Sequence, residues 1–180
     1  GTGIASTAFN CSIMCVKVSS GEQDYPYITH GYEGILYAAK AGFISGDFTI
    51  INNSWGGIGY SQYEQATINI VHEEYNAVVL AAGGNGDDSG QGVDEFAHYP
   101  SSYDNCISVC AMGCSYSWGN WATYHPTVDL AAPGETVYST IIGYDYESWD
   151  GSSMASPNAA SAIGLLSAYH PSWDNLELRK

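Results

Sequence analysis

Two adjacent serines stand between a glycine and a helical pattern in the segment DGSSMASPNAAS, residues 150–161. Pro157 is expected in the first turn of that helix, where a missing N–H costs no hydrogen bond. The helix should therefore begin between Ser152 and Ser156, which places Ser153 at or beside its positive end. The apolar positions of one helical face are Ala159, Ile163 and Leu166, and the pattern ends at His170-Pro171.

A serine at this position can do either of two jobs. Backbone N–H groups and the helix dipole can stabilise an anion that forms on whatever Ser153 attacks, which suits a nucleophile. The same position is also where serine commonly caps a helix, and position alone favours the cap. A nucleophilic serine further needs a base to take its proton.

Composition narrows the classes of protein. A chain of 180 residues with 45% hydrophobic content is expected to form a single domain, 1–180. Four basic against 19 acidic residues give a formal charge of −15, which disfavours nucleic acids and anionic lipid surfaces as partners. No stretch approaches the roughly 20 apolar residues of a membrane span. The acidity itself is ascribed to solubility, with a cation-rich or saline habitat as the alternative.

The five cysteines invite a metal or disulfide interpretation that their spacing opposes. If both flanking segments are strands, cysteines four residues apart lie about 13 Å from each other, too far for a disulfide or a shared metal. The odd count leaves at least one unpaired. We predict small buried core residues at Cys11, Cys15, Cys106, Cys110 and Cys114.

Apolar runs alternate with helical patterns, which is typical of an α/β fold with a doubly wound, mostly parallel sheet flanked by helices. Strands are predicted at residues 12–18, 48–53, 77–82, 106–111 and around 127–132. Helical faces are predicted at Tyr32, Ile35, Leu36 and Ala39, and at Tyr63, Ala66, Ile70 and Val71, the second helix ending near Asn76.

Two polar clusters follow predicted strands. They are NNSWGG at residues 52–57 and GGNG at residues 83–86. Ligands of a doubly wound sheet bind beyond the carboxyl ends of its strands, so both clusters should open on one edge. The alternative is two unrelated loops built from turn-forming residues. The acidic, glycine-rich stretch 83–99 is a candidate rim.

Five fragments in this order resemble the subtilases, the subtilisin-like serine peptidases. They are IINNSWGG, VVLAAGGNG, YPSSYDNCISVCA, VDLAAPG and GSSMASPNAASAIGLL, and together the match runs through nearly all 180 residues. The resemblance implies a subtilisin-like domain that is incomplete at its N-terminus. It also implies a secreted or cell-surface serine endopeptidase, monomeric, with polypeptide substrates and the missing N-terminal segment in cis.

The resemblance also implies roles for individual residues. Ser153 is the nucleophile, and the side chain of Asn85 and the backbone N–H of Ser153 are the oxyanion donors. The substrate-binding residues are Ser54, Trp55 and Gly56, which resemble an edge that pairs with an extended peptide, together with Gly83 and Gly84. The segment from His98 to Pro100 resembles a further pocket wall, and Tyr99-Pro100 a site where the family often has a cis peptide.

No motif in this sequence supplies the catalytic base that a serine nucleophile needs. None of the five histidines stands in a motif that the family uses for its base, so the triad His and Asp are expected outside these residues and the chain alone should not hydrolyse peptides. No cofactor is required, although structural calcium is allowed near the upstream loop or near Asp129. A catalytically inert, peptide-binding subtilase-like domain remains the alternative. An α/β-hydrolase elbow is disfavoured because Ala155 replaces the last glycine of Gly-x-Ser-x-Gly.

Overall fold

The computed structural model of the chain describes residues 3–19, 27–86, 96–115, 117 and 119–180. Its helices are α1 (Gly31–Ser45), α2 (Gln62–Tyr75), α3 (Ser152–Tyr169) and α4 (Asn175–Leu178). Its strands are β1 (Ile50–Asn53), β2 (Gly57–Ile58), β3 (Val78–Ala82), β4 (His98–Tyr99), β5 (Cys106–Met112), β6 (Leu130–Pro133), β7 (Val137–Ile141) and β8 (Asp145–Trp149).

Four strands form the main sheet in the order β1-β3-β5-β6, and each neighbouring pair is parallel. Two further pairs, β2 with β4 and β7 with β8, are antiparallel. Parallel strands need crossover connections, and α2 supplies the one between β1 and β3. The predicted α/β fold with a mostly parallel sheet is therefore confirmed.

Both faces of the main sheet are covered by helices. Every residue of β3 is buried, and its side chains alternate between two apolar clusters. Val79 and Ala81 pack with residues of α1 and α2, whereas Val78 and Leu80 pack with residues of α3 and α4. This division between opposite faces follows from the two-residue period of a strand, and it makes the sheet doubly wound.

The first predicted helical face is confirmed, and the second is displaced. Ile35 and Ala39 of α1 are buried, with Tyr32 and Leu36 half-buried beside them. On α2, however, Tyr63, Ala66 and Ile70 are exposed, and the buried residues are Thr67, Ile68, Val71 and His72. The helix does end at Asn76, which is in the left-handed conformation.

Polar residues on the buried face of α2 explain the displacement. The hydroxyl of Thr67 donates to the carbonyl of Tyr63 within the helix. The side chain of Asn175 bonds both the ring and the carbonyl of His72. A buried polar group is tolerated when it is hydrogen-bonded, and an apolar period cannot show those partners in advance.

The strand predicted over residues 12–18 is not formed in the described part of the chain. The carbonyl of Val18 instead accepts hydrogen bonds from the N–H groups of Thr29 and His30, just before α1. Residues 11–15 are exposed, so Cys11 and Cys15 are not core residues. An apolar run becomes a strand only where a neighbouring strand pairs with it, and here no described strand does.

The other three cysteines differ from one another in burial. Cys106 and Cys110 lie buried in β5, as predicted, and burial raises the pKa of the Cys110 thiol to about 11. Cys114, beyond the end of that strand, is exposed. All five thiols are free.

Several further features differ from the predictions or add to them. The hairpin β7–β8 has no counterpart among the predicted strands, and Leu166 of α3 is exposed although Ala159 and Ile163 are buried. Most of the predicted rim, residues 87–95, lies outside the described residues. Within the described chain, no helix has both the length and the apolar character that a membrane span requires.

The central position of β3 predicts a large effect of truncating Leu80. Its side chain is fully buried, and Leu80→Ala should lower the free energy of unfolding by about 3 kcal/mol because it removes apolar contacts and leaves a cavity. Ile142→Ala, at a fully exposed residue, is the matched control and should change it by less than about 0.5 kcal/mol. Urea unfolding followed by circular dichroism measures both. Equal effects would contradict this description of the core.

Candidate active site

The first turn of α3 carries the two serines. Gly151 is the N-cap residue, with φ of 155° and ψ of 155°, and Ser152 and Ser153 are the first two helical residues. No side chain caps the helix. Ser153 is therefore not a structural cap, and the alternative that position alone favoured is wrong.

Among the described residues, the hydroxyl of Ser153 makes one weak contact. It donates to the carbonyl oxygen of Ser54 across 3.3 Å, which is long for a hydroxyl donor. The side chain is half-buried at the open edge of the sheet. A half-exposed hydroxyl with one long hydrogen bond can turn toward another partner at small cost.

Pro157 lies deeper in α3 than expected. It is the sixth helical residue rather than part of the first turn, so it cannot donate to the carbonyl of Ser153, four residues earlier. That carbonyl instead accepts a hydrogen bond from the Ser54 hydroxyl at 2.8 Å. The prediction of a first-turn proline was wrong because the missing helical bond is replaced from another element.

A network that sequence reasoning missed supports Ser54. The side-chain amide of Asn52 donates to the Ser54 hydroxyl at 3.0 Å, and the Ser156 hydroxyl donates to the Asn52 side-chain oxygen at 2.7 Å. Ser156 is fully buried. The network joins the end of β1 to α3. The only signal in the sequence was the position of Asn52 near the end of a predicted strand.

Asn85 is fixed against the same helix end. Its side-chain oxygen accepts hydrogen bonds from the backbone N–H of Ser152 at 2.8 Å and from the Ser152 hydroxyl at 2.9 Å. The Ser152 hydroxyl also accepts from the N–H of Gly84 at 3.1 Å. Since a backbone N–H can only donate, the atom facing it must be the amide oxygen, and the amide nitrogen of Asn85 is free to point elsewhere.

The space beside Gly151 shows where the two nitrogen donors lie. A methyl group added at Gly151 would lie 3.5 Å from the side-chain nitrogen of Asn85 and 3.6 Å from the backbone nitrogen of Ser153. The structure thus brings Asn85 and Ser153 to one point at the edge of the sheet. Two N–H groups near one point can stabilise an oxyanion.

The segment from Ser54 to Gly57 forms one wall of this edge. Ser54 and Gly56 are exposed and Trp55 is half-buried, and Gly57 pairs with Tyr99 in the short β2–β4 ladder. Ser54 contacts Ser153 through the two hydrogen bonds already described. The clusters at residues 52–57 and 83–86 therefore do open on one edge, as predicted.

Gly83, Gly84 and His98 lie together at a second wall. Gly83 is buried and donates to Val109 in the sheet, while Gly84 has φ of 111°. The His98 ring lies against both Gly56 and Gly84: a methyl group added at Gly56 would collide with the ring, and one added at Gly84 would lie 3.6 Å from it. The Tyr99-Pro100 peptide is cis, as the resemblance implied.

His98 is an uncharged ring in this position. Burial lowers its pKa, and one ring nitrogen, Nδ1, lies 3.2 Å from the carbonyl oxygen of Ala82. A carbonyl can only accept, so Nδ1 carries the proton and Nε2 remains an acceptor.

Comparison with known proteins identifies the family. The sequence model of the subtilase family matches residues 1–180. This chain belongs to the subtilase family. It is 35% identical over 178 residues to thermitase of Thermoactinomyces vulgaris, covering 97% of this chain and 58% of that protein. It is 30% identical over 179 residues to subtilisin NAT of Bacillus subtilis subsp. natto, covering 98% of this chain and 44% of that protein.

Solved structures agree on the fold. The chain superposes on the S41 psychrophilic protease with a TM-score of 0.77 and 24% identity, covering 88% of this chain and 55% of that one. It superposes on sphericase with a TM-score of 0.73 and 24% identity, covering 82% of this chain and 52% of sphericase. This subtilase chain thus spans about half the length of the relatives that it matches.

None of the five histidines of this subtilase chain hydrogen-bonds to Ser153 among the described contacts. His72 is bound to Asn175 inside the protein, and His98 to Ala82. His125 bonds Thr127, His170 stacks on Trp173, and His30 precedes α1. That the base comes from none of these histidines stays a prediction.

The candidate cation position near Asp129 fits poorly. One oxygen of the Asp129 carboxylate accepts the backbone N–H of Ser108 at 2.8 Å, so this group already has a structural role. The described residues include no group of three His, Cys, Asp or Glu side chains arranged to hold an ion. Structural calcium near the upstream loop stays a prediction.

The replacement of a helical bond by Ser54 can be tested with a double-mutant cycle. Ser54→Ala should lower the free energy of unfolding by about 1 kcal/mol, because the Ser153 carbonyl loses the hydroxyl that replaces the missing N–H of residue 157. In a Pro157→Ala background the restored N–H of residue 157 can bond that carbonyl, so Ser54→Ala should then cost measurably less. Urea unfolding of the four proteins measures the coupling. If the effects of the two substitutions on the free energy of unfolding are additive, the Ser54 hydroxyl does not replace the helical bond lost at Pro157.

Proposed function

We propose that this subtilase chain carries the nucleophile and oxyanion hole of a serine endopeptidase that hydrolyses peptide bonds through an acyl-enzyme. The observation that carries the proposal is the meeting of Asn85 and the backbone N–H of Ser153 beside Gly151, next to the Ser153 hydroxyl. Polypeptides are the proposed substrates. Secretion or display at the cell surface, where such an enzyme would meet them, is part of the same proposal.

In the proposed reaction, the Ser153 oxygen attacks the peptide carbonyl and its proton passes to a base. The carbonyl oxygen becomes an oxyanion, which accepts N–H bonds from the Asn85 side chain and the Ser153 backbone. The intermediate collapses to an ester on Ser153, and the departing amine takes the proton. Water then hydrolyses the ester by the same path. Because Ser152 holds the oxygen of the Asn85 amide, its nitrogen needs no reorientation when charge develops.

The base and its orienting carboxylate are proposed to come from outside these 180 residues, in cis. The five histidines all have other surroundings, so the 180-residue chain alone should show no hydrolysis. The alternative, an inert peptide-binding domain, has no use for a carboxamide whose oxygen is held by two donors while its nitrogen stays available. This arrangement favours the enzyme.

The nucleophile assignment predicts covalent labelling by a fluorophosphonate probe. The protein as expressed from its gene should be labelled, and Ser153→Ala should abolish the label because no oxygen remains to attack phosphorus. Ser161→Ala, a substitution in the same helix, is the matched control and should leave labelling intact. Mass spectrometry locates the label. Labelling that survives Ser153→Ala would refute the assignment.

Asn85→Ala should reduce kcat much more than it changes KM, because the lost hydrogen bond forms fully only in the transition state. In a subtilisin, removal of one such donor costs about 10²- to 10³-fold in kcat, a magnitude measured there and not obtained from this structure. Steady-state kinetics on a peptide substrate checks the split. An unchanged kcat would remove Asn85 from the oxyanion hole.

The place of His98 predicts a restricted pocket for the residue before the cleaved bond. The ring lies between Gly56 and Gly84, so His98→Gly should open space and raise kcat/KM for a large aromatic residue at that position relative to alanine. Competition between two peptides that differ only there measures the ratio. His170→Gly, at the far end of α3, is the control and should leave the ratio unchanged. An unchanged ratio in His98→Gly would place this pocket elsewhere.

A further inference from the structure

A cavity of about 420 Å³ opens next to the Ser54–Gly57 segment. Its lining includes four aromatic residues, Tyr27, Tyr32, Trp55 and Tyr99, and one acidic residue, Glu64. None of the described lining residues is cationic. The cavity is distinct from the wall formed by Gly83 and Gly84, although Gly56 belongs to both regions.

The indole of Trp55 is held in a defined position. It packs edge to face on the ring of Tyr32, with ring centroids 5.6 Å apart. It also covers Gly31, the first residue of α1, where any side chain would collide with the indole. A cavity whose aromatic wall is held on two sides can select a ligand without first being ordered.

Glu64 supplies negative charge to this wall. Its carboxylate accepts a hydrogen bond from the Tyr103 hydroxyl at 2.6 Å. Burial, and after it the hydrogen bond to Glu64, raises the pKa of Tyr103 to about 12, and burial and Glu64 also raise the pKa of Tyr32. Both phenols therefore stay protonated and neutral near pH 7. A carboxylate has about four acceptor positions, so these phenols leave Glu64 able to bind a further donor.

We propose that this cavity binds the side chain of a lysine or arginine in the peptide, at a position two or more residues before the cleaved bond. The cation would approach the Glu64 carboxylate while its methylene stem packs on the rings of Trp55 and Tyr32. Aromatic faces attract cations, and such contacts are stronger where water is partly excluded. This inference rests on the proposed function in one respect only, the position in which the substrate peptide lies.

Geometry and charge both favour this occupant. Ser54 bonds Ser153, and the chain then runs through Trp55 and Gly56 along the cavity, so a peptide extended along this segment passes from one to the other. Alternate side chains of an extended peptide point the same way, about 6.6 Å apart, so one of them can enter the cavity. With 19 acidic and four basic residues in the chain, cationic peptides are attracted at long range.

Peptide binding to Ser153→Ala tests the inference, because this variant cannot cleave the probe. The probes are acetylated hexapeptide amides that carry lysine, arginine, norleucine or glutamate in turn at each position from two to five before the bond. Isothermal titration calorimetry on the protein as expressed from its gene gives each Kd. At one position, lysine or arginine should bind about tenfold more tightly than norleucine, which has a similar stem without the charge.

A second substitution ties the selectivity to Glu64. Glu64→Gln keeps an oxygen that can accept from Tyr103 but loses the charge, so the preference for lysine over norleucine should fall to about twofold or less. Glu74→Gln, in the same helix but exposed, is the matched control and should keep the full preference. Thermal unfolding of each variant shows whether it has folded. A Trp55→Leu variant should weaken lysine and arginine binding more than norleucine binding.

The outcomes separate this inference from the proposed function. Equal binding of lysine and norleucine at all positions, or an unchanged preference in Glu64→Gln, would overturn the inference. Fluorophosphonate labelling of the protein with Ser153 intact, measured in parallel, tests the peptidase alone. Selectivity without labelling would support the cavity assignment and refute the nucleophile, whereas labelling without selectivity would do the reverse.

Discussion

The site depends on one pair of hydrogen bonds, from the N–H and hydroxyl of Ser152 to the side-chain oxygen of Asn85. They join the first turn of α3 to the residues that follow β3, a strand with no exposed residue. A polar group anchored to such a rigid strand loses little further freedom when it binds charge. The orientation of the Asn85 amide, on which the proposed oxyanion hole depends, follows from the fact that a backbone N–H cannot accept a hydrogen bond.

A second constraint arises inside α3 and is met from outside it. Pro157 leaves the Ser153 carbonyl without a helical donor, and the Ser54 hydroxyl supplies one. This exchange links the backbone of Ser153, the proposed nucleophile, to the wall along which the substrate is proposed to lie. The hydrogen bond that is missing within the helix is thus replaced by a tertiary one. A hydrogen bond, and not packing alone, therefore holds Ser153 next to the segment from Ser54 to Gly57.

Sequence patterns predicted those parts of the fold that depend on local period or on turn chemistry. The fully apolar β3, the face of α1 and the end of α2 at Asn76 are of this kind, as is the start of α3 beside Ser153. The buried face of α2 was displaced because Thr67 and His72 find partners in other residues, and residues 12–18 lack a strand to pair with. The family resemblance led to Asn85, whereas Asn52 and Ser156 were missed because their contacts join distant segments.

The segment from Ser54 to Gly57 has two different faces, and this explains how one short loop can serve two parts of the proposed binding groove. Its polar side contacts α3 through Ser54, where chemistry is proposed. Its aromatic side, Trp55, rests on α1 and Tyr32, which belong to the opposite face of the sheet. Helices on both faces are therefore needed to build the groove: α3 presents the hydroxyl and its N–H donor, while α1 and α2 present the rings and the carboxylate of Glu64. Because these groups come from separate packed layers, a substitution in the cavity can change the proposed peptide preference without disturbing the hydrogen bonds that hold Asn85.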